Sequence, residues 1–195
     1  MSRVDVPVCM ERETSETSVR VCLRPGSPSY RVEMPLRFLA HMLEQMGFYG
    51  LLGLEVEARG DLAHHVAEDT AIVLGRCFGE LRRRRPGARR YGWAAVPMDD
   101  ALVLVAVDLG GRPYASVDLG LEREVIEDTA SEDIVHFLET LAFNAGAALH
   151  ARRLAGSNDH HVAEACFKAL GMALRMALEE DPARRGVAST KGVIG

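Results

Sequence analysis

The sequence predicts an α+β fold in two similar halves that arose by internal duplication, each a mostly antiparallel four-stranded sheet packed with two helices. Three observations predict it. The pentapeptide His-His-Val-Ala-Glu occurs at 64–68 and again at 160–164. A His-x-Leu-Glu frame, at 41–44 and 136–139, stands 23 positions before the first pentapeptide and 24 before the second. Both copies sit in the same succession of strand-like and helix-like periodicity. A shared frame of this kind is the mark of a repeated half-domain. Residues 1–86 form the first half and 87–195 the second half with a tail, together one compact unit.

Taken in order, 18–24 alternate in polarity as a strand does. Over 36–48, Leu36, Leu39, Leu43 and Met46 fall on one helical face. A second strand is predicted at 53–58. A helix follows over 64–84, with Ala67, Ala71, Leu74, Phe78 and Leu81 at helical intervals. Pro86-Gly87 ends it and joins the halves. The second half opens with strands at 101–107 and 114–119. A helix over 132–145, a strand over 146–154 and a helix over 160–179 complete it, with Asn158-Asp159 as the last helix's N-cap. The tail 181–195, rich in Gly, Ser and Thr, is read as irregular.

Composition removes several classes of function. A net charge of -5 argues against non-specific nucleic-acid binding, despite the basic run Arg82–Arg85, Arg89 and Arg90. No apolar stretch approaches the roughly 18 residues of a membrane span, and the N-terminus lacks a signal peptide's apolar core. The chain is therefore expected in the cytoplasm. Its four cysteines (Cys9, Cys22, Cys77, Cys166) show no C-x-x-C spacing and are expected as reduced thiols. Of 23 basic residues only Lys168 and Lys191 are lysine.

The repeat itself reads as a two-metal site. Residues three and four apart share a helix face, so Glu68 lies with His64 and His65, and Glu164 with His160 and His161. Adjacent histidines diverge by more than a quarter turn, at about 3.6 residues per turn, and so can serve two metals. Imidazole with carboxylate suits Mn, Fe, Ni, Co or Zn, and the lack of thiolates disfavours a structural zinc site. A lone helical histidine is usually a surface or core residue. Here six of the seven fall inside the two frames, and only His150, read as structural, lies outside. Glu44 and Glu139 are read as solvated helix residues.

Several further segments carry a resemblance. They are Arg12-Glu13-Thr14-Ser15-Glu16-Thr17, His41-Met42-Leu43-Glu44-Gln45, His64-His65-x-x-Glu68-Asp69-Thr70-Ala71 and Arg89-Arg90-Tyr91-Gly92. Val96-Pro97-Met98-Asp99, Asp108 through Tyr114, Leu141 through Ala145, Asn158-Asp159-His160-His161 and Ser189-Thr190-Lys191-Gly192 continue the match. Over nearly its full length the chain resembles imidazoleglycerol-phosphate dehydratase, an enzyme of histidine biosynthesis. The resemblance implies two Mn(II) per active site, other divalent transition metals being alternatives, with ligands His41, His64, His65, Glu68, His136, His160, His161 and Glu164. It implies Glu16, Gln45, Asp99 and Glu164 as catalytic or orienting groups beside the substrate. It implies Arg90, Arg112, Lys168, Ser189 and Lys191 as the substrate's phosphate grip, chemistry that suits arginine forks and lysine point charges. It also implies a 24-subunit homo-oligomer with active sites completed by neighbouring subunits.

The implied reaction loses water from a glycerol chain beside an imidazole, giving imidazoleacetol phosphate. The C–H to be broken is not acidic, and metals holding the ring as imidazolate would stabilise the developing negative charge. Three positions depart from the family pattern, all at the first half-site. Ala40 replaces an aspartate beside His41, which removes a carboxylate able to orient that ring. Asp61-Leu62-Ala63 makes a shortened approach to His64, and Val66 replaces a threonine. The alternatives to an active dehydratase are a metal-binding paralogue with lost or altered activity and a non-catalytic metal-storage or structural shell.

Overall fold

The computed structural model describes residues 6–183 and 186–194. What the sequence suggested for residues 1–5, and for 184, 185 and 195 of the tail, lies outside the described residues.

The first half runs β1 (Val8–Glu13), β2 (Thr17–Leu23), β3 (Ser27–Glu33), α1 (Arg37–Gly50), β4 (Leu52–Gly60) and α2 (Ala63–Arg84). The second runs β5 (Tyr91–Met98), β6 (Ala101–Asp108), β7 (Tyr114–Asp118), the short β8 (Val125–Ile126) and β9 (Thr129–Ala130), α3 (Ser131–Ala145), β10 (Ala148–Ala155) and α4 (Asp159–Leu178). The two four-stranded sheets have the same order, β1-β2-β4-β3 and β5-β6-β10-β7. In each, two pairings are antiparallel and the last, β3 with β4 or β7 with β10, is parallel. The duplication is thus visible as matched topology, and the mostly antiparallel expectation holds.

Three strands escaped the sequence reading: β1, β3 and β5. All are sheet edges whose residue types give little alternation to read, although burial does alternate along β1 and β5. In β3 not one residue is fully buried, and β5 carries Gly92 and Pro97, residues a sheet tolerates at its edge. The β8–β9 hairpin is too short for any periodicity. It is an insertion of the second half, and it ties the halves together. Asp128, in its turn, accepts hydrogen bonds from the backbone N–H of Arg37 (2.8 Å) and Phe38 (2.9 Å). It thereby caps the N-terminus of α1, whose own N-cap Leu36 has no side-chain acceptor.

The four helices pack in crossed pairs: α1 against α4 and α2 against α3. Each pair needs a glycine at its closest approach. A Cβ on Gly75 of α2 would stand 2.6 Å from the carbonyl oxygen of Leu141, and one on Gly171 of α4 would stand 2.3 Å from that of Met46. Gly75 lies 11 residues after His64 and Gly171 lies 11 after His160, while Leu141 and Met46 each lie 5 after their helix histidine. The repeat therefore encodes the helix crossing as well as the histidines. Buried Leu, Val, Phe and Ala side chains from the helices and the inner sheet faces make one continuous core.

The cysteine expectation is corrected. Cys9 and Cys22 face each other across the β1–β2 pairing and are joined by a disulfide, Cα–Cα 4.1 Å. Sequence spacing could not show this, because the strand register brings together positions 13 apart. Cys77 and Cys166 are free and buried, and burial pushes both thiols up to about 12. No described helix is long and apolar enough to cross a membrane. The basic run is largely satisfied locally: Arg83 and Arg84 pair with Glu80, and Arg89 pairs with Glu179.

Candidate active site

The crossed helix pairs sort the histidines into two trios, each drawing from both halves. His64 and Glu68 on α2 meet His136 on α3, their ligand atoms all within 4.8 Å of one another. His136 Nε2 is 3.3 Å from Glu68 Oε1, and the His64 and His136 rings stack at 5.1 Å. On the other side, His160 and Glu164 of α4 meet His41 of α1. Glu164 Oε2 lies 3.4 Å from Nε2 of both histidines. Which ligands share a site was not readable from the sequence. The structure pairs each helix histidine with the pentapeptide of the other half.

His65 and His161 join neither trio. His65 Nδ1 lies 2.9 Å from Asp61 and 3.7 Å from Glu16. His161 Nδ1 lies 2.7 Å from Asp100, and its Nε2 lies 3.6 Å from Asp99. Both rings are about a quarter exposed, at 28% and 26%. Glu16 and Asp99 thus occupy equivalent places, each in the turn before the second strand of its half. Gln45 is half-buried on α1, one turn beyond His41.

Carboxylates orient these rings, and the sequence reading missed most of them. Asp133, only 7% exposed, sits 2.6 Å from His64 Nδ1. Glu127 stands 3.3 Å from His160 Nδ1, and Glu44 stands 3.7 Å from His41 Nδ1. A carboxylate on one ring nitrogen fixes the tautomer and leaves the other lone pair free for a metal. The hydrogen bond from Asp61 raises the His65 pKa, and the same bond lowers that of Asp61. Asp100 is held well below the usual carboxylate range by the Ser157 N–H, His161 and the Asn158 N–H. Asn158 itself caps α4, its side chain accepting from the N–H groups of His160 and His161. The signal for Asp61 was its place four residues before His65 on the approach to α2. Asp133, Glu127 and Asp100 carried none, because each reaches a histidine distant in sequence.

The departures from the family pattern resolve locally. The shortened approach still supplies Asp61 to His65. Val66 is fully buried against Gly60 and Thr17, where a Cβ on Gly60 would meet Val66 Cγ2 at 2.7 Å. Glu44, expected in solvent, is 35% exposed and turns its carboxylate to His41 beside Ala40.

Glu164 is among the most enclosed acids here, 8% exposed. Burial works to raise its pKa, but the hydrogen bond and charge of Lys168 outweigh this, helped by His41 and His160, and lower it. Lys168 Nζ is 2.8 Å from Glu164 Oε1. The structure thus brings Lys168 to a trio rather than to the other predicted phosphate residues. Arg90, Arg112, Ser189 and Lys191 do assemble, lining a cavity of about 410 Å³. Arg90 has a positive φ of 75° and forks onto Asp108, Nε to Oδ1 at 2.6 Å and Nη2 to Oδ2 at 2.8 Å. The Asp108 bond raises its pKa, so the guanidinium is a permanent cation. A larger cavity, about 650 Å³, lies on the charged outer face of the first sheet and holds no histidine. His150 is exposed on the outer face of the second sheet, against Tyr114 at 5.5 Å.

Chemically, each trio offers two imidazoles and one carboxylate without thiolate, a donor set that fits a divalent transition ion. At the far end of α4, where the Arg90 N–H meets the Ala177 carbonyl, stands a separate cationic cavity fit for a phosphate. The trios suit metal-dependent chemistry, and the cavity suits a phosphorylated ligand. A sequence model of imidazoleglycerol-phosphate dehydratase matches residues 35–174. The chain is similar to the enzyme of that name from Moorella thermoacetica, 44% identical over 189 residues covering 95% of this chain and 96% of the other. It is 49% identical over 185 residues to that from Methanothermobacter thermautotrophicus, covering 93% and 94%. Among solved structures, the Pyrococcus furiosus enzyme in complex with (S)-C348 superposes with a TM-score of 0.83 at 41% identity, covering 95% of this chain and all of that one. The Staphylococcus aureus enzyme gives 0.81 at 33%, covering 90% and 100%. These similarities define the class as hydro-lyases of histidine biosynthesis. The chain belongs to the imidazoleglycerol-phosphate dehydratase family.

Proposed function

We infer that the chain is an active, metal-dependent dehydratase that converts imidazoleglycerol phosphate to imidazoleacetol phosphate and water. The observation that carries this reading is the coexistence of two complete His-His-Glu trios with the Arg90 cavity in one chain. A shell that only stored metal would have no use for that cavity.

Arg90, Arg112, Ser189 and Lys191 would hold the phosphate, Arg90 pre-set by Asp108 so that little rotamer freedom is lost on binding. His64, Glu68 and His136 would hold one divalent ion, taken as Mn(II), and His41, His160 and Glu164 the other. When bound, such ions supply charge stabilisation to the imidazole as negative charge develops on it. Glu164, kept ionised by Lys168, is suited to accept a proton, as is Glu16 on the opposite half-repeat. Asp99 and Gln45 are placed to orient groups. In the net change a carbon-bound proton and a hydroxyl leave as water, and the resulting enol tautomerises to the ketone. The His65 and His161 rings, which join neither trio and are partly exposed, support self-assembly into a large homo-oligomer in which each completes a neighbour's site. Cytoplasmic residence belongs to the same reading, resting on the metabolic role of the family.

The test is direct. Metal-stripped protein is given imidazoleglycerol phosphate with and without Mn(II), and the ketone product is measured. Turnover with Mn(II) that EDTA abolishes supports the dehydratase. Metal and phosphate binding without product would point to an inactive paralogue instead.

A further inference from the structure

The duplication allows the two trios to be compared position by position, and they differ in two buried charges. Three residues before the helix histidine stands Asp133 in one trio and Phe38 in the other. Both side chains reach the pentapeptide histidine of their trio: Asp133 lies 2.6 Å from His64 Nδ1, whereas the Phe38 ring packs on His160 at 5.0 Å. Four residues after the glutamate stands Ile72 in one trio and Lys168 in the other. The first trio therefore has an extra anion behind a ligand, and the second an extra cation on its carboxylate.

Other charges oppose this difference but act through water. Glu127 and Glu44 face His160 and His41 in the second trio, 58% and 35% exposed, at 3.3 and 3.7 Å. Asp133 and Lys168 are 7% and 14% exposed and lie at 2.6 and 2.8 Å from their partners. A charge out of water acts several-fold more strongly than one at the surface, so the buried pair decides the sign. Asp133 makes His64 a stronger donor, and Lys168 withdraws charge from Glu164. The first trio is also the one whose ligand atoms all stand within 4.8 Å of each other among the described residues.

We propose that the two centres bind their metal unequally: Asp133 makes the His64–Glu68–His136 trio the first to fill, and Lys168 makes the His41–His160–Glu164 trio the second and weaker. Asp133 and Lys168 are positioning residues, acting through a ligand. The inference rests on the metal reading above and extends it to the order of loading.

The experiment is a titration of the metal-stripped full chain with Mn(II), following the free aquo ion by its electron paramagnetic resonance signal. Wild type is expected to bind in two classes separated by roughly 10-fold or more. Asp133→Asn should weaken the tight class by roughly 10- to 100-fold. Lys168→Met should tighten the weak class and leave the tight one in place. Two equal sites in wild type would overturn the proposal, as would an unchanged tight class in Asp133→Asn. If Asp133→Asn fails to fold by circular dichroism, Lys168→Met decides, and an unchanged weak class then overturns it. No Mn(II) binding by wild type would overturn the metal reading itself, an outcome distinct from equal binding.

Discussion

Glu164 and Asp108 show how single residues serve the site in different ways. Glu164 joins three partners, His41, His160 and Lys168, through its two oxygens. Glu164→Gln keeps the shape and loses the charge, so turnover should fall by roughly 100-fold or more, measured as kcat under saturating Mn(II). An unchanged kcat would remove Glu164 from the chemistry. Asp108 acts by holding Arg90. Asp108→Asn loses one charge-assisted fork, and KM for the phosphorylated substrate should rise by roughly 10-fold with kcat little changed. At this scale the sequence was informative where a residue type repeats in frame, as the histidines and glutamates do. It was silent on Asp133 and Glu127, and on the pairing of Asp108 with Arg90, because these partners have no fixed spacing in the chain.

Helices α1 and α4 depend on contacts that only the tertiary fold supplies. Asp128 of the β8–β9 turn caps α1 across 91 positions of sequence. Asp128→Ala should cost about 1 kcal/mol of stability, seen as a lower urea midpoint. Burial opposes ionisation of Asp128, but the N–H groups of Phe38 and Arg37 and the Thr129 hydroxyl outweigh it and lower its pKa. A lowered folded pKa gives stability that is fully present above the unfolded value near 4 and is lost as pH falls through the folded one. The Asp128→Ala deficit should therefore shrink below about pH 4; a deficit that grows in acid would contradict the cap. Gly171→Ala would drive a methyl into the Met46 carbonyl and wedge α1 from α4. A loss of about 1–3 kcal/mol is expected, with weaker Mn(II) binding at the His41–His160–Glu164 trio. The helices themselves were legible from their apolar spacing. Strands β1, β3 and β5 were not, because apolar and polar residue types do not alternate cleanly along them.

The whole molecule is two copies of one half-domain whose helices exchange partners, so that neither half contains a complete trio. The repeat was legible, and with it the α+β class, but the exchange was not: 23 and 24 residues of spacer are compatible with pairing inside or across the halves. Packing decides it, through Gly75 and Gly171. The Cys9–Cys22 link, which closes a loop of 13 residues far from the histidines, should add up to about 3 kcal/mol of stability. Reductant should lower the urea midpoint and leave KM unchanged. On the proposed function, each metal is held by both halves at once. Anomalous diffraction at the manganese edge, from crystals of the Mn(II)-loaded protein, tests it most directly. Two peaks per chain are expected, one between His64, Glu68 and His136 and one between His41, His160 and Glu164. A metal bridging His41 to His64, or His136 to His160, would contradict the account.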